Sequence, residues 1–254
     1  QIKGRGGKIE THLGYDTDNG AYYYYNPIPG TDYGETLRRI HRYLEQEDIP
    51  AKWANLDSWR YYKGPGNTGG EGVPMMGGVK NWTADATVIY NGDQEINTLG
   101  KDTGWPWMAH NRWWQNVTDY ATENGGRFDF ILETQSKAYP GQGFALPNPM
   151  VKNSGDFWAF LMDFGQSWGL KLYEQDWLWT QFLGMEATTR QVYIAEQWME
   201  DMATAAEERG LSVQYCMVLP RHAMQSARSP AVSQIRVSDD YGPSDRDGQW
   251  RIGR

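Results

Sequence analysis

The chain has 254 residues, a formal net charge of −8, 13 tryptophans and 16 tyrosines. This acidic balance argues against nucleic acid or an anionic membrane as a partner, and no apolar run reaches the roughly 18 residues of a membrane span. The single cysteine, Cys216, excludes an intrachain disulfide framework. Its place in the apolar run 213–219 predicts a buried, inert thiol.

Short apolar runs that predict strands alternate with segments that predict helices. Each predicted helix has an apolar stripe at helical spacing behind a capping residue. In chain order the predicted elements are a strand at 9–15, a helix from Thr31, strands at 51–56 and 105–110, a helix from Ser154, a strand at 170–173, a helix from Thr188 or Thr189, strands at 211–218 and 232–237, and a candidate seventh strand at 249–253.

This alternation predicts a parallel sheet with right-handed crossover connections. Six or seven βα units favour a barrel over a doubly wound sheet, and no glycine-rich dinucleotide motif follows any strand. We therefore predict an α/β fold, a (β/α)8 TIM barrel that occupies 1–254 as one catalytic domain. A full barrel has eight units in about 250 residues. We expect its C-terminal strands to be missing or to lie on another chain, and an N-terminal domain to have been lost.

Two long connections interrupt the alternation, at about 60–104 and 119–153. Both follow predicted strands, so we expect both insertions on the catalytic face of the barrel. Loops of this length in a compact domain are usually functional. Within the second connection, 127–133 has the pattern of a β insertion.

Polar groups follow nearly every predicted strand. In a barrel, carboxylates at the carboxyl ends of strands are typical of catalytic residues, and glycoside hydrolysis requires two of them. In strand order these groups are Asp16 and Asp18, Asp57, His110, Glu174 and Asp176, Arg221 and His222, and Arg236, Asp239 and Asp240.

The aromatic content favours a carbohydrate partner, because sugar C–H faces stack on aromatic rings that also offer a polar group. Trp59 and Trp177 are candidate stacking platforms next to the predicted strand ends. Asn81 and Asn116 stand in N-glycosylation sequons, which favours a secreted or lumenal protein.

The fourth and sixth strand ends resemble the retaining α-galactosidase clan, the melibiase-like TIM barrels that include raffinose synthases. In that clan the fourth strand ends in Lys-x-Asp, and this chain has Glu174-Gln175-Asp176. The sixth strand of the clan carries an arginine and, after three residues, an aspartate. Arg236 and Asp240 have this spacing.

The second and fifth strands add to the resemblance through the Asp57-Ser58-Trp59 motif and the cysteine-containing strand around Cys216. The clan's mechanism implies that Asp176 is a nucleophile and Asp240 the acid/base, with Asp239 as its rival. The implied substrate-binding residues are Asp16, Asp18, Asp57, Trp59, His110, Glu174, Trp177, Arg221 and Arg236.

One residue departs from the clan pattern. Glu174 stands where the clan has a lysine that donates hydrogen bonds to sugar hydroxyls. We expect a carboxylate here to accept instead of donate, and to add negative charge beside Asp176. Like charges at close range raise one of the two pKa values, so the resemblance implies the barrel but not galactose as the sugar.

Alternatives from other classes stay open at this point. One is an inactive barrel that serves as a glycan-binding or structural subunit of an extracellular assembly. Another is a polysaccharide lyase that uses Arg221, His222 and Arg228. The segment 16–20 is similar to the start of a calcium loop but lacks the glutamate at its twelfth position. We expect no metal or cofactor, and an oligosaccharide, polysaccharide or glycoconjugate as the partner.

Overall fold

A parallel five-stranded sheet forms the centre of the computed structural model, which describes residues 7–65, 76–236 and 240. Its strands lie in the order β1, β4, β8, β9, β10, and Tyr15 adds a parallel bridge to Ala54 outside β1. The parallel register confirms the predicted α/β class. The strands are β1 Ala54–Leu56, β4 Trp107–Asn111, β8 Leu170–Gln175, β9 Ser212–Tyr215 and β10 Val232–Ile235.

Helices connect these strands, as expected for βα units. Asp32 Oδ1 accepts a hydrogen bond from the Glu35 backbone N–H at 2.9 Å and caps the first long helix, so the cap is Asp32 and not Thr31. Gly165 allows its helix to pack closely on β8, since a Cβ there would lie 2.4 Å from Leu170 Cδ2. The helices are α1 Lys8–Thr11, α2 Tyr33–Gln46, α3 Asp93–Thr103, α4 Asp156–Ser167, α5 Leu178–Gly184, α6 Glu186–Arg190, α7 Val192–Glu208 and α8 Pro220–Ser226.

A second five-stranded sheet is built from segments after β1 and β4. Its strand order is β2, β3, β5, β7, β6, and each pair is antiparallel except β3 with β5. Aromatic side chains such as Trp82, Trp114 and Phe157 fill the space between this sheet and the helices. The strands are β2 Tyr61–Lys63, β3 Val79–Ala84, β5 Trp114–Gln115, β6 Phe130–Glu133 and β7 Phe144–Pro147.

Two predictions about local structure were wrong. The expected strand 9–15 is mostly the short helix α1, and only Tyr15 pairs with the sheet. Helix α3 was not predicted within the first long connection, where it begins after Gly92 and ends before Gly104, which has a left-handed φ of 66°. The candidate strand 249–253 lies outside the described residues.

The parallel sheet curls strongly. Arg236, just after the last strand, donates a hydrogen bond to Asp18, just after the first paired position, at 2.7 Å. At the other end, Ser212 Oγ donates to Glu10 Oε1 of α1 at 2.8 Å. In the described residues six chain segments form this curve and it does not close into a barrel. None of the helices described is long and apolar enough to cross a membrane.

Candidate active site

Alternate side chains of the parallel strands point to the concave side of the curled sheet. At the amino end of the strands this side is apolar, because Ile9 of α1 packs there with Met108 and Leu172, and Trp53 lies against them. Side chains alternate along a strand. Residues two positions further on therefore occupy the next level towards the carboxyl ends.

This next level is polar. The register places His110 of β4 beside Glu174 of β8, and Glu174 beside Gln214 of β9. Gln214 in turn donates from Nε2 to Gln234 Oε1 at 2.6 Å. Bulky branched residues usually fill a barrel at this depth, and polar groups are costly there unless they are paired. A polar interior therefore indicates a function and not only packing.

Asp176 lies above this level, in the turn after β8. Its backbone N–H donates to the carbonyl of Asn111 at 2.7 Å, which ties the turn to the end of β4. Its Oδ2 lies 3.1 Å from Nε2 of His110. The residue is 8% exposed. Asp176 and His110, both named from the sequence, thus form a direct pair.

The tautomer of His110 follows from its two contacts. Tyr61 Oη of β2 lies 3.0 Å from His110 Nδ1. The Asp176 carboxylate, whose pKa is lowered, can only accept, so Nε2 carries the proton, and Nδ1 accepts from the Tyr61 phenol, which stays neutral because burial raises its pKa well above its ordinary value. Burial also lowers the pKa of His110, which outweighs the attraction of Asp176. The imidazole is therefore neutral at pH 7 and donates from Nε2 to Asp176.

Two further groups complete the environment of Asp176. The backbone N–H of Trp177 donates to Oδ1 at 2.6 Å, and the buried thiol of Cys216 helps to lower the pKa of the carboxylate. Trp177 has φ 60°, a left-handed conformation that costs free energy for a bulky residue. Its side chain is held between Trp113 and Tyr139, with ring centroids at 4.6 and 5.3 Å.

The two carboxyl groups at the carboxyl end of β8, Glu174 within the strand and Asp176 just after it, differ in ionisation. Burial raises the pKa of Asp176, but the bonds from His110, Cys216 and Trp177 more than offset this and hold the pKa below its ordinary value. Burial raises the pKa of Glu174 well above its ordinary range, and the charges of nearby aspartates raise it further. The expected rise of one pKa therefore falls on Glu174, and Asp176 is the ionised carboxylate.

Asp57, after β1, is a third buried carboxyl group. Its Oδ1 accepts hydrogen bonds from the backbone and hydroxyl of Ser58, and Tyr25 Oη donates to the same hydroxyl at 2.6 Å. Arg112 donates to Tyr25 Oη at 3.1 Å and connects this network to the end of β4. Burial raises the pKa of Asp57 to about 7, although the bonds from Ser58 lower it.

Arg236 joins the first and last parts of the site. Its Nη1 donates to Asp18 Oδ2 at 2.7 Å, and its Nη2 forms an ion pair with Asp240 Oδ1. Asn19 Nδ2 donates to Asp240 Oδ2 at 3.2 Å. The side chain of Asp240 is 39% exposed, so this group faces solvent far more than Asp176 does. Asp239 lies outside the described residues.

Asp16 and Asp18 are linked to the same end of the sheet. Asp16 Oδ1 accepts from Asn55 Nδ2 at 2.9 Å and from the Asp18 backbone at 3.0 Å. Burial raises the pKa of Asp18 to about 8, and the charges of Asp57 and Asp16 add to the shift while Arg236 opposes it. The structure therefore places most of the predicted acidic residues around one centre.

Several predicted residues lie elsewhere. Trp59 is fully buried, stacked on Tyr33 at 3.7 Å, so its ring is not an open platform for a sugar. Arg221 of α8 packs over the ring of Phe182 at 4.6 Å. His222 follows it in α8 and accepts from the Leu219 backbone at 3.0 Å.

Arg228, the third residue of the lyase hypothesis, lies after α8 and pairs with Glu196 and Glu200 of α7. The side chains of the two sequon residues both make hydrogen bonds. Asn81 accepts from Tyr120 Oη at 2.9 Å, and the carbonyl of Asn116 accepts from Gln115 at 3.5 Å.

The sequence did not single out Tyr61, Asn19 or the thiol of Cys216 as parts of the site. Tyr61 comes from the second sheet, within a connection that shows no strand alternation. Cys216 was expected to be inert, and burial does raise its thiol pKa, so the thiol keeps its proton and, as a neutral group, helps to lower the pKa of Asp176. Across the described part of the chain, no cluster of three or more His, Cys, Asp or Glu side chains has the geometry to hold a metal ion.

No family model matches the sequence, and no curated protein matches it. The fold is similar to solved glycosidase structures. An α-galactosidase from Thermus thermophilus, in complex with stachyose, has a TM-score of 0.58 at 12% identity over 95% of this chain and 47% of that one. A β-L-arabinopyranosidase from Geobacillus stearothermophilus has a TM-score of 0.63 at 10% identity over 93% of this chain and 55% of that one.

An α-galactosidase from Lactobacillus brevis has a TM-score of 0.60 at 11% identity, over 96% of this chain and 32% of that one. This chain therefore spans about a third to just over half of the length of these proteins. Similarity at such low identity shows the fold alone, an α/β fold with a parallel sheet like that of these glycosidases.

Proposed function

We propose that this chain is the barrel part of a retaining α-glycosidase of the α-galactosidase type, with Asp176 as the nucleophile. The observation that carries the proposal is the environment of Asp176. It is a buried carboxylate at the carboxyl end of a central parallel strand, kept ionised by His110, Cys216 and the Trp177 backbone. A nucleophile needs its negative charge at neutral pH, and preorganised donors provide it.

The proposed reaction has two steps. First, an Asp176 oxygen forms a bond to the anomeric carbon while the bond to the leaving oxygen breaks, and Asp240 gives its proton to that oxygen. Then Asp240 takes a proton from water, the water oxygen attacks the anomeric carbon, and Asp176 leaves. Each step inverts the anomeric carbon, so the product retains the configuration of the substrate.

The ion pair with Arg236 sets a condition for the acid/base role. Asp240 contacts both the guanidinium of Arg236 and the side-chain amide of Asn19. To donate in the first step it has to bind a proton and loosen its contact with Arg236. Arg236 already bonds Asp18 as well, so it keeps a partner when Asp240 is released.

Comparison of the wild-type chain with Asp176→Asn tests the proposal. The substrates are chromogenic α-glycosides, beginning with p-nitrophenyl α-D-galactopyranoside, and the product anomer is identified by NMR. We expect hydrolysis with retention by the wild type and a loss of about a thousandfold or more in Asp176→Asn. A matched control is Asp163→Asn, because Asp163 is also an aspartate with a lowered pKa but pairs with Arg209 on the surface.

Three outcomes contradict the proposal. These are equal rates for Asp176→Asn and wild type, inversion at the anomeric carbon, and absence of hydrolysis with every α-glycoside tested. The control separates a specific effect from a general loss of folded protein, since we expect Asp163→Asn to keep full activity.

One observation favours a second candidate, a barrel that binds glycans without cleaving them. The three carboxyl groups nearest the centre are almost closed off from solvent, at 8% exposure for Asp176, 2% for Glu174 and 0% for Asp57. Binding of galactose, arabinose or raffinose, measured by calorimetry with no hydrolysis of any α-glycoside, supports this candidate over the enzyme.

A further inference from the structure

A cavity of about 520 Å³ lies at the amino end of the parallel strands, the end opposite to Asp176. Its walls come from α1, α3, the residues before β4 and the start of β8. Three lysines line it, Lys8, Lys101 and Lys171, and no aspartate or glutamate of the described chain does so. The cavity is therefore locally positive in a protein whose net charge is −8.

The three lysines have free ammonium groups. All three are exposed to solvent, and within the described part of the chain none forms an ion pair or a side-chain hydrogen bond. Other lysines do have partners, since Lys80 lies 3.7 Å from Asp119 and Lys137 lies 3.8 Å from Glu186. Ammonium groups around one cavity repel one another, and a bound anion replaces this repulsion by attraction.

Lys171 interrupts a strand that is otherwise buried. It is the one exposed residue of β8, although central strands of parallel sheets are usually apolar on both faces. The register between β4 and β8 shifts by one residue here, so that Lys171 has no partner residue on β4. Such an irregularity redirects a side chain, and the redirected lysine lines the cavity.

Trp168 adds an unpaired donor to the same wall. It lines the cavity and is only 2% exposed, and no acceptor in the described residues bonds its buried indole N–H. The guanidinium of the fully buried Arg60 lies 5.1 Å from the centroid of the Trp168 ring, and its Nε and Nη2 also have no acceptor among these residues. Its charge adds to the positive potential at the cavity. Buried donors without acceptors are unfavourable, so this wall favours a ligand that is an anion and an acceptor.

We propose that this cavity binds a multivalent oxyanion of the phosphate class. A phosphate group carries about two negative charges at pH 7 and has several acceptor oxygens, which suits three ammonium groups and one indole N–H. A single carboxylate would neutralise only one of the three lysines. Free phosphate and a phosphate ester offer the same oxyanion, so both serve as probes. Because the cavity lies at the other end of the strands from Asp176, this site is independent of the proposed glycosidase function.

Calorimetric titration with inorganic phosphate and with glycerol 3-phosphate, at constant ionic strength, tests the site. We expect the wild type to bind inorganic phosphate and to gain in Tm as the phosphate concentration rises above Kd. Lys101→Gln combined with Lys171→Gln should weaken this binding about 10-fold or more, because two charge-assisted hydrogen bonds are lost. If this double variant does not fold, Lys101→Gln alone, at an exposed position of α3, should still weaken binding about threefold.

The matched control is Lys80→Gln combined with Lys137→Gln, which removes the same charge from lysines that have partners elsewhere on the surface. We expect this control to bind phosphate within about twofold of wild type. Tighter binding of glycerol 3-phosphate than of phosphate supports an ester as the ligand, and equal binding supports free phosphate.

Two results overturn the site. One is the absence of binding of either probe to the wild type. The other is equal binding by the wild type, the control and the cavity variants, which would show attraction to the surface in general. Neither result depends on the hydrolysis of α-glycosides, so failure of this site and failure of the proposed function are measured separately.

Discussion

The two sides of the site hold their carboxylates in different ways. After β8, Asp176 is buried and receives hydrogen bonds from His110 and a backbone N–H, and the neutral Cys216 thiol helps to lower its pKa. After β10, the solvent-facing Asp240 and the less exposed Asp18 share one guanidinium of Arg236. The first arrangement relies on uncharged donors in fixed positions. The second relies on a charge that can be shared.

The two sides differ because different parts of the fold support them. The second sheet supports the Asp176 side, because Tyr61 of β2 contacts His110 Nδ1 and the Trp82 indole of β3 donates to the His110 carbonyl at 3.0 Å. The imidazole is thereby fixed in position and tautomer. On the other side, Arg236 leaves β10 with one backbone bond to the Tyr215 carbonyl at 2.8 Å. A nucleophile benefits from the first design, and a group that alternately binds and releases a proton from the second.

Replacement of His110 should give the largest effect on stability. His110→Phe keeps an aromatic ring but removes the donor to Asp176 and the acceptor for Tyr61. The carboxylate is then a buried charge with fewer partners, and removal of one partner of a buried pair costs about 3–5 kcal/mol. Urea unfolding at pH 7 measures the free energy of unfolding.

His41→Phe is the matched control for this substitution. His41 also lies against an aromatic ring, Trp105 at 4.8 Å, and 3.5 Å from a carboxylate oxygen of Glu45 on the surface. We expect its loss to stay below about 1 kcal/mol. Equal losses in the two variants would show that the Asp176 side has no special dependence on its donor.

The contrast between the two sides was only partly predictable from the sequence. The run 170–173 ended in carboxylates, and this placed Asp176 at a strand end because apolar runs with abrupt polar ends are typical of buried parallel strands. The hydrogen bond from Tyr61 was not predictable. Its strand has three residues, lies in a connection without alternation, and pairs within a different sheet.

Tertiary packing also decided two local features against the sequence pattern. The residues from Ile9 onward alternate enough to predict a strand, but Ile9 gains more by packing on Met108 and Leu172 at the open amino end of the sheet. Trp59 follows a strand-end carboxylate and was expected at the rim. Its indole instead donates to Thr17 Oγ1 at 2.9 Å inside the core. The periodicity of a sequence predicts which side chains share one face of a strand or helix. It does not predict which other segments of the chain pack against that face.

Replacement of Arg236 should give a smaller loss than replacement of His110. Arg236→Leu removes charge-assisted hydrogen bonds to Asp18 and Asp240. Asp18 leaves no unpaired charge in most molecules at pH 7, since its pKa is raised to about 8, and Asp240 can turn to water. We expect a decrease of about 1–2 kcal/mol in the free energy of unfolding at pH 7.

Arg228→Leu is the control for this variant, because Arg228 also joins two carboxylates, Glu196 at 2.8 Å and Glu200 at 2.6 Å. These groups lie on the surface, where such pairs contribute about 0–1 kcal/mol. A larger loss in Arg228→Leu than in Arg236→Leu would contradict the view that Arg236 organises the β10 side.

The smallest effect is expected for Tyr61→Phe, which tests the link from the second sheet to Asp176. The variant loses one hydrogen bond to His110 Nδ1, at a cost of about 1 kcal/mol, and the imidazole becomes free to take the other tautomer. That tautomer cannot donate from Nε2, so Asp176 loses its donor in part of the molecules.

Tyr62→Phe is the control, because the neighbouring Tyr62 is 37% exposed and its hydroxyl only accepts from the Ala86 backbone at 3.1 Å. Nitrogen-15 NMR of the imidazole distinguishes the tautomers directly. An unchanged Nε2–H tautomer in Tyr61→Phe would mean that Asp176 alone fixes His110, and that the second sheet contributes packing but no control of the proton.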